Sequence, residues 1–329
     1  MKPVRWGILS TAKIARERMI PALRASAAHK IVAIASRTPE AARAAADAFG
    51  IATAHGSYEA LIGDPDVEAI YNPLPNHLHV PLTLAAVRAG KHVLCEKPFA
   101  IRAAELEVLR PYASQVHIRE AFMVRHHPQW VAVREHVRQG EIGSLRYMQV
   151  AFSYFNDDPT NIRNAADIGG GAVYDIGCYA IVAGRWFFER EPQRVVAMTD
   201  VDPTFGIDRL ASALLDFGGG RQLAFSVSTQ SVGCQRAQLV GTTGRIEIEV
   251  PFNAPDDRTT SYSIQIAGTP GLRTLSVPAA NQYALQCDAF AHAIRHEAPN
   301  AAALDDARLN MRVIEAVLAS AQSGRVEPL

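Results

Sequence analysis

Along the first 120 residues, short continuous apolar runs alternate with segments whose apolar positions recur at helical spacing. VRWGILS reads as a buried strand, and TAKIARERMIPALRAS follows with Ile14, Met19, Ile20 and Leu23 at the spacing of one helical face. KIVAIAS, VEAIYNP, KHVLCE and VHIREAF are further strand-like runs, while PEAARAAADAFG, HVPLTLAAVRAG and RAAELEVLRPYA between them are helical. Strand alternating with helix in this way predicts a doubly wound parallel sheet with helices on both faces, in which ligands gather beyond the carboxyl ends of the strands.

From about Phe122 the pattern changes. After the helical PQWVAVREHVRQG come LRYMQVAFSY, QRVVAMTDV, RLASALLDF, RQLAFSVST, RAQLVG, GRIEIEV and YSIQIAG, joined by turns such as GGG at 218–220 and GTTG at 241–244. Strand after strand with tight turns predicts an α+β domain built on a large, mostly antiparallel open sheet. A helix over 172–188 is expected to cover one sheet face, and helices over 283–296 and 303–321 close the chain. The expected division is a Rossmann-like dinucleotide-binding domain at 1–121 and a substrate-binding and oligomerisation domain at 122–329.

Composition narrows the function classes. The 329 residues carry 33 basic and 33 acidic side chains, so neither a nucleic-acid footprint nor a membrane-surface patch is expected. Cys95, Cys178, Cys234 and Cys287 are widely spread, which suggests neither a zinc site nor a disulfide framework. They read as ordinary thiols of a reducing compartment. The first apolar run, Val4 to Leu9, is too short for a signal-peptide core, so a cytoplasmic enzyme is expected.

The first strand-to-helix turn is where a pyrophosphate would bind, because the helix dipole and its first amides favour an anion. The usual G-x-G-x-x-G/A fingerprint is replaced here by Ser10, Thr11, Ala12, Lys13, Ile14 and Ala15. Small residues still occupy the three key positions, and Ser10 could add a hydroxyl donor to phosphate. Where the second strand ends, NAD-binding chains place a carboxylate against the ribose. Ser36 and Arg37 stand there instead, either as a surface turn or as acceptors of a 2′-phosphate, which favours NADP over NAD.

YNPLPNHLHVPLTLAAVRAGKHVL followed by CEKPFA carries a P-x-x-x-H segment at Pro75 to His79 and an E-K-P motif at Glu96 to Pro98; GGGAVYDIGCY follows at 169–179. With these in order, the chain resembles the Gfo/Idh/MocA oxidoreductase family over nearly its whole length. Tyr179 where many members carry His, the opening WGILSTA and the ASR turn are similar to a branch of that family. The branch contains NADP-dependent D-xylose 1-dehydrogenases, dimeric dihydrodiol dehydrogenases and glucose-fructose oxidoreductase. The resemblance implies a cofactor site that includes Pro73, His79, Glu96 and Lys97, and polar substrate positions at Arg125, His127 and Arg163. It also implies that the open sheet face forms a homodimer or a dimer-based tetramer.

Within that frame, Asp175 and Tyr179 are four apart and share a face if their run is helical. Removing hydride from a carbinol carbon requires that the hydroxyl proton leave too. A free phenol, with a pKa of about 10, is a poor base, but a neighbouring ammonium lowers that value. Lys97 is expected to supply that charge and Tyr179 to move the proton. Asp175 would bind substrate hydroxyls, hold Lys97 or cap its helix. The glycines are expected to let substrate and nicotinamide approach. The implied reaction is oxidation of an aldose at C1, D-xylose first among them, with a trans-dihydrodiol or polyol as the alternative. A non-catalytic regulator that binds NAD(P) is the alternative of another class.

Overall fold

The computed structural model describes residues 2–329, which form two compact units. The first comprises residues up to Met123 together with Tyr283–Arg308, and the second comprises Val124–Gln282 together with Leu309–Leu329.

Six strands form the sheet of the first unit: β1 (Val4–Leu9), β2 (His29–Ala35), β3 (Thr53–His55), β4 (Ala69–Asn72), β5 (His92–Cys95) and β6 (Ile118–Glu120). Their order is β3-β2-β1-β4-β5-β6 and every pairing is parallel. The order reverses between β1 and β4, which places the crevice for a ligand over the ends of those strands. Strand β3, too short and too polar to show as an apolar run, extends the sheet beyond the sequence expectation. The helical expectation after β1 is met in two pieces, a π turn over Ala15–Met19 and α1 over Ile20–Arg24. Helix α2 (Pro39–Ala48) begins at the Thr38 cap, α3 (Tyr58–Ile62) at the Ser57 cap and α4 (Asn76–Arg88) after Pro75. RAAELEVLRPYA winds as a 3₁₀ helix over Ala103–Tyr112.

Against an expected boundary after residue 121, residues 283–308 group with the first unit. The reason is apolar. Cys287, Phe290 and Ala291 are buried in one cluster with Trp6, Met19 and Tyr71, and each large side chain so buried contributes about 1.5–3 kcal/mol. Arg295 adds an ion pair to Glu68 at 2.8 Å.

The second unit holds α5 (Pro128–Arg138), α6 (Cys178–Phe188) and nine strands. These are β7 (Leu145–Phe155), β8 (Arg194–Val201), β9 (Asp208–Asp216), β10 (Gln222–Ser228), β11 (Gln230–Gly241), β12 (Gly244–Ile248), β13 (Thr260–Ile266), β14 (Arg273–Val277) and β15 (Glu327–Pro328). Their order is β14-β13-β12-β11-β7-β10-β9-β8-β15, antiparallel throughout except for β7 with β10. Period-2 alternation sends Met148, Val150 and Phe152 of β7 to the buried face, with Tyr147, Gln149 and Ala151 on the other. Helix α6 is buried along nearly its whole surface. At Gly184 a Cβ would fall 2.9 Å from Leu223 and Phe217, so the absent side chain lets α6 lie close on the sheet. Its one charged residue, Arg185, is paired with both oxygens of Glu191 at 2.7 and 2.9 Å.

The opposite sheet face is uncovered among the described residues. Met198 is 78% exposed there, and a shallow depression is lined by Gln149, Ser212, Leu214, Ala224, Ser226 and Arg236. That depression lies on the face away from α6, so it is a feature of the open surface and not of the chemistry below.

Candidate active site

In the first unit the polar residues gather past the ends of β1, β2, β4 and β5. Ser10 follows β1 with φ at +101°, a backbone conformation that favours glycine and costs a side-chain-bearing residue roughly 1–3 kcal/mol. Thus the backbone of the glycine fingerprint persists where the glycine itself does not. The Ser10 hydroxyl accepts the Ala12 N–H at 3.0 Å, which leaves its own proton to donate. Thr11, Lys13 and Ile14 complete the turn, with Lys13 exposed and 4.0 Å from Glu17. Beyond β2, Ser36 is buried with its N–H on the His55 carbonyl, while Arg37 is exposed. Burial pushes the Tyr58 phenol upward and the charge of Arg37 pulls it back, which places these two side chains within electrostatic reach. Tyr58 was not singled out in the sequence.

After β4, Pro73 is buried and His79 wholly so. The two ring nitrogens of His79 lie 2.8 Å from the Pro98 carbonyl and 2.6 Å from that of Leu74. Burial drives the ring down to about 4, against both carbonyls, which favour the charged form. His79 therefore joins the loop after β4 to the loop after β5, with both nitrogens turned to backbone carbonyls. Glu96 is fixed from below: the buried Tyr71 donates its phenolic hydrogen to Oε1 at 2.7 Å, and the Lys97 N–H reaches Oε2 at 3.3 Å. Lys97 is half-buried directly after β5.

The second unit assembles a different cluster. GGGAVYDIGCY forms a π turn over Val173–Gly177 that runs straight into α6, so Asp175 and Tyr179 remain on one flank of a continuous helix. Asp175 does not cap it. Its Oδ1 pairs with Arg163 Nε at 2.9 Å, and its Oδ2 accepts the Tyr154 hydroxyl at 2.5 Å. The carboxylate of Asp175, then the phenols of Tyr154 and Tyr179, hold the Arg163 guanidinium charged. The ring of Tyr179 is 6% exposed and packed against Phe152 and Phe252.

The glycines serve the chain's own backbone. A Cβ at Gly170 would fall 2.6 Å from the carbonyls of Arg163 and Ala165, and one at Gly171 would fall 2.0 Å from Asp208 Oδ1. The N–H groups of Gly170 and Gly171 donate to Ala165 and Arg163 at 2.9 Å. They thereby tie the Arg163 turn to the helix start. His127 caps α5, accepting the Gln129 N–H at 3.2 Å, and is fully buried, with burial lowering its pKa. Arg125 lies 5.6 Å from the Trp186 ring, over which Arg134 is also placed at 3.8 Å. Tyr154 and Asp208 were missed by sequence reasoning.

The chain as a whole has known relatives. Residues 4–124 match the GFO/IDH/MocA oxidoreductase family, NAD-binding Rossmann fold, and residues 130–247 match the GFO/IDH/MocA C-terminal domain. An uncharacterized oxidoreductase of Rhizobium meliloti is 45% identical over 99% of both chains. A D-xylose 1-dehydrogenase (NADP(+)) of Haloferax volcanii is 36% identical over 97% of this chain and 98% of its own. Among solved structures, a 3-ketoreductase from Actinomadura kijaniata in complex with NADP and TDP-benzene superposes with a TM-score of 0.90. It is 30% identical and covers 97% of this chain and 98% of its own.

Proposed function

Since the chain belongs to the GFO/IDH/MocA oxidoreductase family, we propose that it is an NADP-dependent dehydrogenase acting on a sugar, with an aldose oxidised at C1 and D-xylose as the first candidate. The observation that carries this reading is the Arg163–Asp175–Tyr154 cluster on the helix of Tyr179. An ion pair flanked by two phenols presents both donors and acceptors, the mixture a neutral polyhydroxyl substrate needs, with no net charge to demand an anion. The near full-length similarity to a D-xylose 1-dehydrogenase supports the same substrate class.

The residues that would hold NADP are the Ser10–Ile14 turn for the pyrophosphate and Ser36 with Arg37 for the 2′-phosphate. The fit rests on the glycine-like backbone at Ser10 and on the cation where an NAD site carries a carboxylate. Bound NADP supplies a nicotinamide that takes up hydride. Tyr179 accepts the carbinol proton, Lys97 favours the phenolate by its charge, and Asp175 orients substrate hydroxyls. Glu96, fixed by Tyr71, sets the start of the Lys97 segment, and His79 ties down the loops around it. Arg125 and His127 serve the second unit as a ring-stacked cation and a helix cap, with Arg163 the substrate-facing cation.

The open face of the nine-stranded sheet is the surface for a homodimer or a dimer-based tetramer. Its support is a broad half-apolar face without a cover of its own. No helix among the described residues is long and apolar enough to cross a membrane. The four free cysteines fit a reducing, cytoplasmic setting. Turnover of NADP against a panel of aldoses, polyols and trans-dihydrodiols tests the reading. Aldoses are expected to lead, a dihydrodiol optimum would select the alternative dehydrogenase, and binding without turnover would select a regulator.

A further inference from the structure

The first residue of β9 reaches the start of the Tyr179 helix. Asp208 Oδ2 accepts the Val173 N–H at 2.7 Å. The other oxygen occupies the space of the missing Gly171 side chain, since a Cβ there would stand 2.0 Å from Oδ1. Gly171 in turn accepts the Asp175 N–H on its carbonyl at 3.0 Å. A short path of contacts thus runs from Asp208 through Gly171 and Val173 to Asp175.

We propose that Asp208 is a positioning residue for the reaction: by holding the Val173 N–H at the start of the helix it fixes where Asp175 and Tyr179 stand, and it does so in its ionised form. The proposal rests on the reading of Tyr179 as the proton-transfer residue. The opening amides of a helix have no intrahelical acceptor, so they need an outside one. A carboxylate offers acceptors on both oxygens, whereas a protonated carboxyl turns one oxygen into a donor, a poorer partner for the Val173 N–H. Among the described residues no cation pairs with it. Arg209, the next residue, pairs with Asp200 at 2.6 Å and lies 3.8 Å from Asp202, while Arg163 and Tyr154 are engaged by Asp175. Burial accordingly pushes Asp208 up to about 6, despite the amides that pull it down. On acidification the grip on the helix loosens before an ordinary aspartate would titrate.

The test compares Asp208→Asn, which keeps the shape but cannot ionise, with Gly171→Ala, which displaces the carboxylate, and with Tyr179→Phe. The readouts are kcat and KM across the acid limb, NADP affinity, thermal midpoint and circular dichroism. Asp208→Asn is expected to lower kcat roughly tenfold, the equivalent of one charge-assisted hydrogen bond, with NADP affinity unchanged. An acid limb centred near pH 6 is expected in the parent enzyme and should flatten in this variant. Gly171→Ala should reproduce the kcat loss. A parent-like kcat and acid limb in Asp208→Asn, with or without a lower thermal midpoint, overturns the proposal while a full Tyr179→Phe loss leaves the proton-transfer reading intact. A silent Tyr179→Phe overturns that reading and the catalytic role of Asp208 with it.

Discussion

Tyr154, at the end of β7, donates its hydroxyl hydrogen to Asp175 on the helix that also carries Tyr179. With Arg163 on the other oxygen, the carboxylate is held from both sides. A hydrogen bond to a charged group is worth about 1.5–3 kcal/mol. Tyr154→Phe removes one of the two while keeping the ring. It should raise KM for the sugar and lower kcat/KM by about 10- to 100-fold, with NADP affinity unchanged. Steady-state kinetics beside a cofactor titration decide the matter; a loss confined to NADP binding would contradict it.

Cofactor choice is expected to reside in Arg37. In the parent enzyme NADP should bind at least about tenfold more tightly than NAD, a difference of about 1.4 kcal/mol. Arg37→Ala should weaken NADP far more than NAD, because only NADP carries the 2′-phosphate. Fluorescence titration with both cofactors measures this. Equal losses for the two would remove the assignment.

The parallel sheet and the antiparallel sheet were legible because most strands of the first are continuous apolar runs and most strands of the second alternate. Strands β3, β14 and β15 escaped because they are short or polar. The Tyr154–Asp175 and Val173–Asp208 contacts join residues 21 and 35 apart in sequence, a separation at which no local periodicity reports them. For the same reason GGG announced a close approach without saying to what. The approach is made by the Arg163–Ala165 backbone and by Asp208. The fold-back of 283–308 was hidden because an amphipathic helix shows that it has a buried face but not against which core.

The first unit should be sensitive to acid through a histidine pair. The rings of His92 and His117 are 5.4 Å apart, and the His117 N–H donates to His92 Nδ1 at 3.0 Å. Burial, then His117, push His92 down to about 4, and burial lowers His117 as well. In the unfolded chain both would take up protons near 6.5, so stability present above that pH is lost as pH falls toward 4. For His92 the loss is at most about 3 kcal/mol. His92→Gln should flatten the pH dependence of stability between these limits, followed by denaturant unfolding at several pH values. An unchanged slope would contradict it.

The sheet face predicts assembly. Met198→Lys combined with Leu214→Asp places two charges on the exposed surface of β8 and β9. The parent chain should sediment as a dimer or a dimer-based tetramer, and the double variant should shift toward a single-chain mass without a lower thermal midpoint of its own fold. A parent chain that sediments at single-chain mass at micromolar concentration would remove the proposal.

The central claim is tested most directly by the rate of NADPH formation from D-xylose and other aldoses in the parent enzyme and in Tyr179→Phe, followed across pH. Turnover should fall by about 10²- to 10⁴-fold, the range for a general acid-base group. NADP affinity should stay unchanged, since the turns proposed to hold it belong to the first unit. Lys97→Met should produce a loss of similar size, and the two should be non-additive if they act as one unit. The pH profile of the variant should differ from that of the parent, because its proton-transfer group is gone. A Tyr179→Phe enzyme that turns over aldoses at the parent rate with the parent pH profile would contradict the account.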